Sequence, residues 1–190
     1  MGVPALAEAL AAGQHEFGES YVQEALPKIA ALPRDRVLWH FIGPVQSNKT
    51  AEIAIHFDWV HGVDREKVAR RLSERRPADL APLNVCVQVN VSGEATKAGV
   101  VPGDAAALCH RVAALPRLRL RGLMAIPAPV GDGDSRAPYR ALRRLYEELR
   151  GTGLQLDTLS AGMSDDYEAA IAEGSTLVRI GTAIFGMRPA

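Results

Sequence analysis

A chain of 190 residues is long enough for one domain with a sizeable core, and 47% hydrophobic with 23% charged residues excludes a fibrous or membrane-embedded protein. Because 22 Lys and Arg balance 22 Asp and Glu, the net charge is zero, and the overall field predicts no binding to nucleic acid or an anionic membrane. We therefore expect a single domain over residues 1–190 whose ligand is held by a local site.

The N-terminal residues and the cysteines predict a cytoplasmic protein. Glu8 interrupts the first apolar run, and no basic stretch precedes it, unlike in a secretory signal peptide. No apolar run approaches the roughly 18 residues that a transmembrane helix needs. Cys86 and Cys109 have no CxxC or metal-type neighbour, so we interpret them as free buried thiols in a reducing compartment.

Helix-type and strand-type patterns alternate along the whole chain, which predicts a parallel sheet. The first helix ends at Gly13, and Ser20 after the first strand could cap the second helix, as Ser47 or Asn48 could cap the third. In chain order, the predicted strands are 16–19, 37–42, 58–61, 83–91, 118–126, 156–160 and 177–180. The predicted helices are 3–12, 21–32, 47–56, 64–76, 102–115, 136–150 and 165–173.

Polar residues alternate with Val and Cys along the longest predicted strand, 83–91. This period of two places Asn84, Gln88 and Asn90 on one face, a polar row that would suit the mouth of a ligand site. The turn-rich stretch 127–134 is interpreted as a mobile loop at the same ligand face.

Seven strands, each followed by a helix or a helix start, predict an α/β barrel of the (β/α)8 TIM type that lacks its first strand and the preceding helix. The chain is also shorter than the roughly 200–250 residues typical of this fold, so we expect the missing segment to lie before Val3. A barrel that lacks one strand leaves two strand edges unpaired. Such edges invite pairing with another chain, which would favour a dimer.

The last two strands each run through a glycine into a hydroxyl residue and then a helix start, at Ser164 and at Thr182. Backbone N–H groups at such turns can approach the oxyanions of a phosphate, and the hydroxyls add donors. We interpret Gly162, Gly174 and Gly181 as the residues that permit tight turns there. The alternative is that both segments are ordinary capped turns between a strand and a helix.

Five runs of residues resemble the pyridoxal phosphate homeostasis protein family. They are Phe17-Gly-Glu-Ser-Tyr-Val-Gln-Glu24, Trp39-His-Phe-Ile-Gly-Pro-Val-Gln-Ser-Asn-Lys49, Gly122-Leu-Met-Ala-Ile-Pro127, Leu159-Ser-Ala-Gly-Met-Ser-Asp-Asp166 and Val178-Arg-Ile-Gly-Thr-Ala-Ile-Phe-Gly186. The resemblance covers essentially the whole chain. It implies a single-domain barrel, like the N-terminal domain of alanine racemase, that binds pyridoxal 5′-phosphate (PLP) and has no established catalytic activity.

The resemblance also implies which residues contact the cofactor. They are Ser20, His40, Met163, Ser164, Arg179, Gly181 and Thr182. Arg179 would be the partner of the pyridine nitrogen, and its permanent charge would keep that nitrogen unprotonated and weaken the ring as an electron sink. The alternative is an outward arginine in a surface salt bridge. His40 would be a pocket wall, or else a core histidine with its hydrogen bonds satisfied.

Two features depart from the family pattern. Family members carry a Schiff-base lysine in a Val-Ser-Lys-Thr-Lys-Pro-like run, which we expect a few residues before Met1. The family's Gly-Glu-Asn is Gly-Glu-Ser here, so Ser20 presents a hydroxyl where an amide would approach the cofactor. We therefore expect weak, non-covalent binding of PLP by this chain.

The four lysines of the chain offer no clear substitute for the Schiff-base lysine. Lys28 and Lys67 are predicted on solvent faces of helices, and Lys49 belongs to a helix start. Lys97 lies in the loop after the longest strand, where it could approach an anionic ligand or simply be solvated.

The function that these patterns predict is non-catalytic PLP binding in intracellular PLP homeostasis, by a protein that is a monomer in the intact family. The first alternative is a PLP-dependent racemase-like or decarboxylase enzyme, against which the missing second domain and missing lysine argue. The second alternative is a truncated fragment that does not bind. No metal is expected, because the remaining histidines show no metal-ligand spacing and receive no chemical role: His15, His56, His61 and His110.

Overall fold

The computed structural model describes residues 1–94, 97–128 and 133–187. These residues form one parallel sheet of seven strands, whose order in the sheet follows the order in the chain. The strands are β1 (Glu16–Glu19), β2 (Leu38–Phe41), β3 (Trp59–Val63), β4 (Leu83–Gln88), β5 (Leu118–Met124), β6 (Thr158–Met163) and β7 (Leu177–Arg179). The predicted parallel α/β architecture is confirmed.

A helix precedes β1, and within the described residues one helix follows each strand. The helices are α1 (Val3–Ala11), α2 (Val22–Ala31), α3 (Thr50–His56), α4 (Glu66–Arg75), α5 (Pro102–Ala113), α6 (Ala137–Gly151), α7 (Tyr167–Ala172) and α8 (Thr182–Phe185). This alternation is what a TIM-type barrel requires, because parallel neighbours need a crossover that returns the chain to the same end of the sheet.

Helix α6 shows why the helices pack onto the sheet. Its buried residues are Tyr139, Leu142, Tyr146 and Leu149, at intervals of three and four, so they form one face. The arginines and glutamates between them are directed to solvent. The same amphipathic spacing in the other helices builds a large core between the helices and the outer face of the sheet.

The strands alternate between that outer core and the barrel interior. In β2, Trp39 and Phe41 belong to the outer core, whereas His40 between them faces the inside. A second, smaller apolar cluster of Trp59, Cys86 and Met124 is separate from the main core. The barrel therefore has an apolar layer inside it as well as outside.

The curvature of the sheet is shown by a contact between strands that are not neighbours. His61 Nδ1 in β3 lies 2.8 Å from Ser160 Oγ in β6, with two strands between them in the sheet. Only a sheet that curls round brings these faces together. The prediction of a barrel is thus confirmed, and in the described residues β1 and β7 are edges that do not pair with each other.

Several local predictions are wrong at the ends of elements. Tyr21, not Ser20, occupies the N-cap of α2 and makes no side-chain capping bond. Helix α3 begins at Thr50 with Lys49 at its N-cap, so Ser47 and Asn48 lie in the preceding turn. Of the predicted mobile loop 127–134, residues 129–132 lie outside the described residues.

Both cysteines are buried and free, as predicted. Burial raises the pKa of Cys86 to about 12, and likewise that of Cys109. Among the described residues, the longest apolar helical stretches fall short of what a membrane crossing needs.

Candidate functional site

Most of the predicted site residues lie at the carboxyl ends of the two edge strands and of β6. Those at or just beyond these ends are Ser20, Met163, Ser164, Arg179, Gly181 and Thr182. The carboxyl ends of parallel strands form one face of a barrel, which is where such folds bind ligands. His40 is the exception, because it lies within β2 and points into the interior.

Two backbone N–H groups at the start of α8 converge on one oxygen. Gly181 and Ala183 both donate to Ser164 Oγ, each at 3.3 Å. Both hydrogen bonds are long, so Ser164 Oγ is only a weak acceptor for these two N–H groups. The arrangement offers an anion two aligned donors, with the exposed Thr182 between them.

Gly181 differs from the other two glycines predicted to permit tight turns. Its φ of −121° lies outside the left-handed region, so no positive φ requires a glycine there. A Cβ added there would meet nothing within 4 Å in the described structure. Gly162 and Gly174, in contrast, have φ values of +93° and +91°, so the prediction of tight turns at these two positions is confirmed. The missing side chain of Gly181 leaves room beside the two converging N–H groups.

The turn that carries Ser164 is held by the carboxylate of Asp166. Asp166 Oδ1 accepts the backbone N–H of Met163 at 2.6 Å, and Asp166 Oδ2 accepts the hydroxyl proton of Tyr139 at 2.5 Å. Burial, followed by the hydrogen bond to Asp166, raises the pKa of Tyr139, so its proton stays on the phenol and is donated. Helix α6 thereby fixes the loop between β6 and α7.

The guanidinium of Arg179 lies among polar groups of the barrel interior. Its Nη1 donates to Ser160 Oγ at 2.6 Å, and its Nη2 donates to the carbonyl oxygen of Ala125 at 3.0 Å. These contacts rule out the alternative of an outward arginine in a surface salt bridge. Burial lowers the pKa of Arg179, but a guanidinium remains charged at neutral pH because its ordinary pKa is above 12.

Two buried histidines continue this polar group across the interior. His40 Nδ1 lies 2.9 Å from His61 Nε2, and His61 Nδ1 lies 2.8 Å from Ser160 Oγ. Burial, reinforced by His40 and Arg179, holds the pKa of His61 well below its ordinary value, so this ring is neutral at neutral pH. His61, to which the sequence assigned no chemical role, thus lies in the buried polar group between His40 and Ser160.

Trp59 lies beside His40, as its register partner on the neighbouring strand β3. Its ring stacks on His40 with centroids 5.3 Å apart and an interplanar angle of 11°. The guanidinium carbon of Arg121 lies 4.5 Å from the centroid of Trp59, and Arg121 also binds Asp157 and Asn84. The stacking with Trp59, which Arg121 contacts in turn, fixes the plane of the His40 ring.

The predicted polar row on β4 is divided between the two ends of the barrel. Asn84 accepts a hydrogen bond from Arg121 at the amino-terminal end of β4, which contradicts its predicted place at the ligand mouth. Gln88 Nε2 donates to the carbonyl of Ala98 at 3.2 Å, and Asn90 Nδ2 donates to the carbonyl of Glu94 at 2.7 Å. The two amides therefore hold the loop that follows β4.

The structure corrects the prediction for one of the lysines. Lys28, predicted on a solvent face, is buried and lies 2.6 Å from Glu19 Oε1. Lys49 pairs with Glu52 at 3.2 Å. Lys67 and Lys97 are exposed, and residues 95–96 beside Lys97 lie outside the described residues. Among the described residues, no group of three or more His, Cys, Asp or Glu is arranged to hold a metal ion.

Sequence reasoning missed most of the groups that support the site. They are Glu16, His61, Tyr139, Ser160 and Asp166. Strand alternation offered a signal for two of them: His61 shares a face with Trp59, and Ser160 shares one with Gly162. The contact of Tyr139 with Asp166 joins residues 27 positions apart and has no local signal.

Comparison with known proteins gives a consistent result at the level of sequence. The alanine racemase N-terminal domain family matches residues 1–189. The pyridoxal phosphate homeostasis protein of Pseudomonas aeruginosa is 62% identical over 184 residues, covering 97% of this chain and 79% of that protein. The protein of the same name from Escherichia coli K12 is 52% identical over 190 residues, covering 97% and 80%.

Solved structures agree with this. PipY of Synechococcus elongatus without PLP superposes with a TM-score of 0.88 at 40% identity, covering 97% of this chain and 87% of that one. PipY with PLP bound gives a TM-score of 0.85 at 37% identity, with the same coverage. Alanine racemase of Corynebacterium glutamicum, at 19% identity and a TM-score of 0.72, shares the fold. The chain belongs to the alanine racemase N-terminal domain family and, within it, to the pyridoxal phosphate homeostasis proteins.

Proposed function

We propose that this chain is a single-domain cytoplasmic protein that binds PLP reversibly in PLP homeostasis and catalyses no reaction of its own. The names of its relatives and the PLP-bound structure of PipY support the ligand. The observation in this chain that carries the proposal is the convergence of the Gly181 and Ala183 N–H groups on Ser164 Oγ, beside open space.

The phosphate is held at this convergence. A phosphate oxygen accepts the two N–H bonds that Ser164 Oγ accepts in the ligand-free protein, and the hydroxyls of Ser164 and Thr182 then become donors to the same anion. Met163 contributes by position, because its backbone is fixed by Asp166. The site thus exchanges two long internal hydrogen bonds for stronger ones to a charged acceptor.

Arg179 takes the ring nitrogen. A guanidinium has five N–H donors, of which Ser160 and Ala125 each engage one, so donors remain for a ligand. PLP supplies an aldehyde and an electron-withdrawing ring. Because Arg179 donates to the ring nitrogen without giving up a proton, it leaves that nitrogen neutral, and this favours binding without catalysis.

The remaining two assigned residues lie toward the β1 side of the site. Ser20 follows β1, and its backbone is packed so closely that a Cβ on Gly43 would lie 2.2 Å from the carbonyl oxygen of Ser20. His40 contacts His61, which contacts Ser160, and Ser160 accepts a hydrogen bond from Arg179. Ser20 therefore bounds the site, and His40 supports it.

Binding by this 190-residue chain is non-covalent. Lys28 is buried in an ion pair on the helix side of β1, and Lys49 is engaged by Glu52. PLP partitions between this site and solution, as suits a carrier rather than a racemase-like enzyme. Neither nucleic acid nor a membrane is a partner, and the β1 and β7 edges are where two copies would pair if they associate.

The test is a titration of the chain with PLP and with pyridoxal, which lacks the phosphate, followed by absorbance or equilibrium dialysis. We expect saturable binding of PLP and binding of pyridoxal that is weaker by at least about tenfold, because the converging N–H groups recognise the anion. Borohydride reduction followed by intact-mass measurement should give no stoichiometric phosphopyridoxyl adduct. Equal affinity for both ligands, or a stoichiometric adduct, would contradict the proposal.

A further inference from the structure

A chain of polar contacts crosses the barrel interior from β7 to β1. Arg179 Nη1 donates to Ser160 Oγ at 2.6 Å, and Ser160 Oγ lies 2.8 Å from His61 Nδ1. His61 Nε2 lies 2.9 Å from His40 Nδ1, and His40 Nε2 lies 3.3 Å from Glu16 Oε2. One end is a permanent cation at the ligand face, and the other end is a carboxylate at the start of an edge strand.

The contact between His40 and Glu16 is the longest of the four, and it decides which ring nitrogens carry protons. His40 Nε2 is buried and, among the described residues, has no hydrogen-bond partner of ordinary geometry, although Glu16 Oε2 lies within ion-pair distance. A buried ring nitrogen without a partner is costly, so the carboxylate that approaches it is its natural acceptor. The interaction with His40 is also the largest cause of the lowered pKa of Glu16, which favours the ionised carboxylate.

An ionised carboxylate can only accept, and with both imidazole rings neutral this fixes the proton on each nitrogen between Glu16 and Ser160. If Glu16 accepts, His40 carries its proton on Nε2, and its Nδ1 is an acceptor. His61 must then carry its proton on Nε2 to donate to His40, so that its own Nδ1 accepts. The hydroxyl of Ser160 therefore donates to His61, and its oxygen is left to accept from Arg179.

The reversed order of protons is unfavourable at both ends. It would direct a lone pair of His40 Nε2 at the Glu16 carboxylate. It would also leave the hydroxyl proton of Ser160 without an acceptor among these groups, because both His61 Nδ1–H and Arg179 would then donate to its oxygen. In the forward order, in contrast, each bond polarises the next, which strengthens the acceptor that Arg179 contacts.

We propose that Glu16 is a positioning residue for Arg179. Its carboxylate sets the direction of hydrogen-bond donation through His40, His61 and Ser160, and so prepares Ser160 Oγ as the acceptor that orients the guanidinium. The direction of donation is a property of the ligand-free protein. The consequence for PLP rests on the proposed function.

The direction can be read by NMR on the ¹⁵N-labelled, ligand-free chain. Long-range ¹⁵N–¹H correlations show which nitrogen of each imidazole carries the proton, and a ¹⁵N–¹⁵N coupling across the hydrogen bond identifies the donor ring. We expect the proton on Nε2 of both His40 and His61. A proton on Nδ1 of His40, including a doubly protonated ring, would overturn the proposal.

Reversing the charge at position 16 gives the sharper test. An ammonium can only donate, so Glu16→Lys should move the proton to Nδ1 in His40 and also in His61, which the substituted residue does not contact. The oxygen of Ser160 can accept from both His61 and Arg179, so the chain tolerates this reversal. Glu8→Lys, on the exposed face of α1, makes the same charge change and should leave both rings as in the wild type. If His61 keeps its Nε2 proton in Glu16→Lys, the proposal fails.

The effect on the ligand is measured separately. Glu16→Ala should weaken PLP binding by about fivefold, the equivalent of one ordinary hydrogen bond, whereas Glu8→Ala should bind PLP as the wild type does. Unchanged affinity in Glu16→Ala would remove the positioning role. A wild-type chain that binds no PLP would refute the proposed function, while the NMR measurement would still decide the direction of the hydrogen bonds.

Discussion

Tyr139 in α6 donates its phenolic proton to Asp166, the residue that precedes α7. The other oxygen of Asp166 accepts the N–H of Met163, so one carboxylate connects an outer helix to the turn that carries Ser164.

Replacing Tyr139 by Phe should lower both stability and PLP affinity. The change removes the donor to Asp166 and should cost about 1–2 kcal/mol in the free energy of unfolding. The turn at Ser164 loses its support, so the affinity for PLP should fall as well. Urea unfolding and PLP titration measure the two effects.

The matched control for this variant is Tyr146→Phe. Tyr146 is also buried in α6 and also donates a hydrogen bond, at 3.0 Å to the carbonyl oxygen of Leu156, but it does not contact the turn. We expect a similar loss of stability with unchanged PLP affinity. If both variants lose affinity equally, the effect is a general one and Tyr139 does not hold the site.

Gly181→Ala should weaken PLP binding by about tenfold or more without lowering stability. The new methyl group meets no atom of the described protein and requires no strained backbone, but it occupies the space beside the converging N–H groups. Gly103→Ala in α5 is the control, because a Cβ there also meets nothing within 4 Å. The control should keep full affinity and should not lose stability, because Gly103 lies in the first turn of α5. Full affinity in Gly181→Ala would mean that the phosphate binds elsewhere.

Lys28→Met should destabilise the protein by roughly 3 kcal/mol. Lys28 and Glu19 are both buried and lie 2.6 Å apart, so removing the lysine leaves an unpaired carboxylate in the interior. The double variant Lys28→Met with Glu19→Gln should recover part of this loss, because the remaining group is then neutral. PLP affinity should persist in the double variant, and its disappearance would indicate that Lys28 contacts the ligand.

Glu16 should contribute to the dependence of stability on pH. Its pKa is lowered in the folded protein, mainly by the interaction with His40, so the unfolded chain takes up a proton at a higher pH than the folded one. The stabilisation is therefore present above the ordinary glutamate pKa of about 4.3 and is lost as the pH falls through the folded value. Glu16→Ala should lose less stability on acidification than the wild type, as followed by urea midpoints from pH 7 to pH 3. Identical pH profiles would show that the carboxylate has no such contact in solution.

Most of the fold could be predicted from sequence because it depends on local periodicity. All seven predicted strands are present, and all the predicted runs except 16–19 combine β-branched and apolar residues over a short stretch that ends at a turn signal. The ends of elements were less predictable. Ser20 is a good capping residue by type, yet Tyr21 takes the N-cap of α2, because packing rather than capping preference fixes where this helix begins.

The site was predictable only in part, for a physical reason. Ser164, Gly181 and Thr182 stand beside glycine-rich turns that local sequence reveals. Lys28 was misplaced because a charged residue on an amphipathic helix is usually exposed, and its buried partner Glu19 comes from another element. The contact of His61 with Ser160 depends on the curvature of the sheet, since 99 residues separate the two in the chain.

That contact has a mechanical consequence. A barrel closed by a ladder of backbone hydrogen bonds has a circumference set by strand number, whereas the ladder described here is not continued from β7 to β1. The distance between strands β1 and β7 then depends on side-chain contacts through the barrel interior. The contact between His61 and Ser160 is one of them. Removing this contact by substitution should let the sheet open. Ser20 after β1 and Gly181 after β7 should then move apart, although neither contacts the substituted residue.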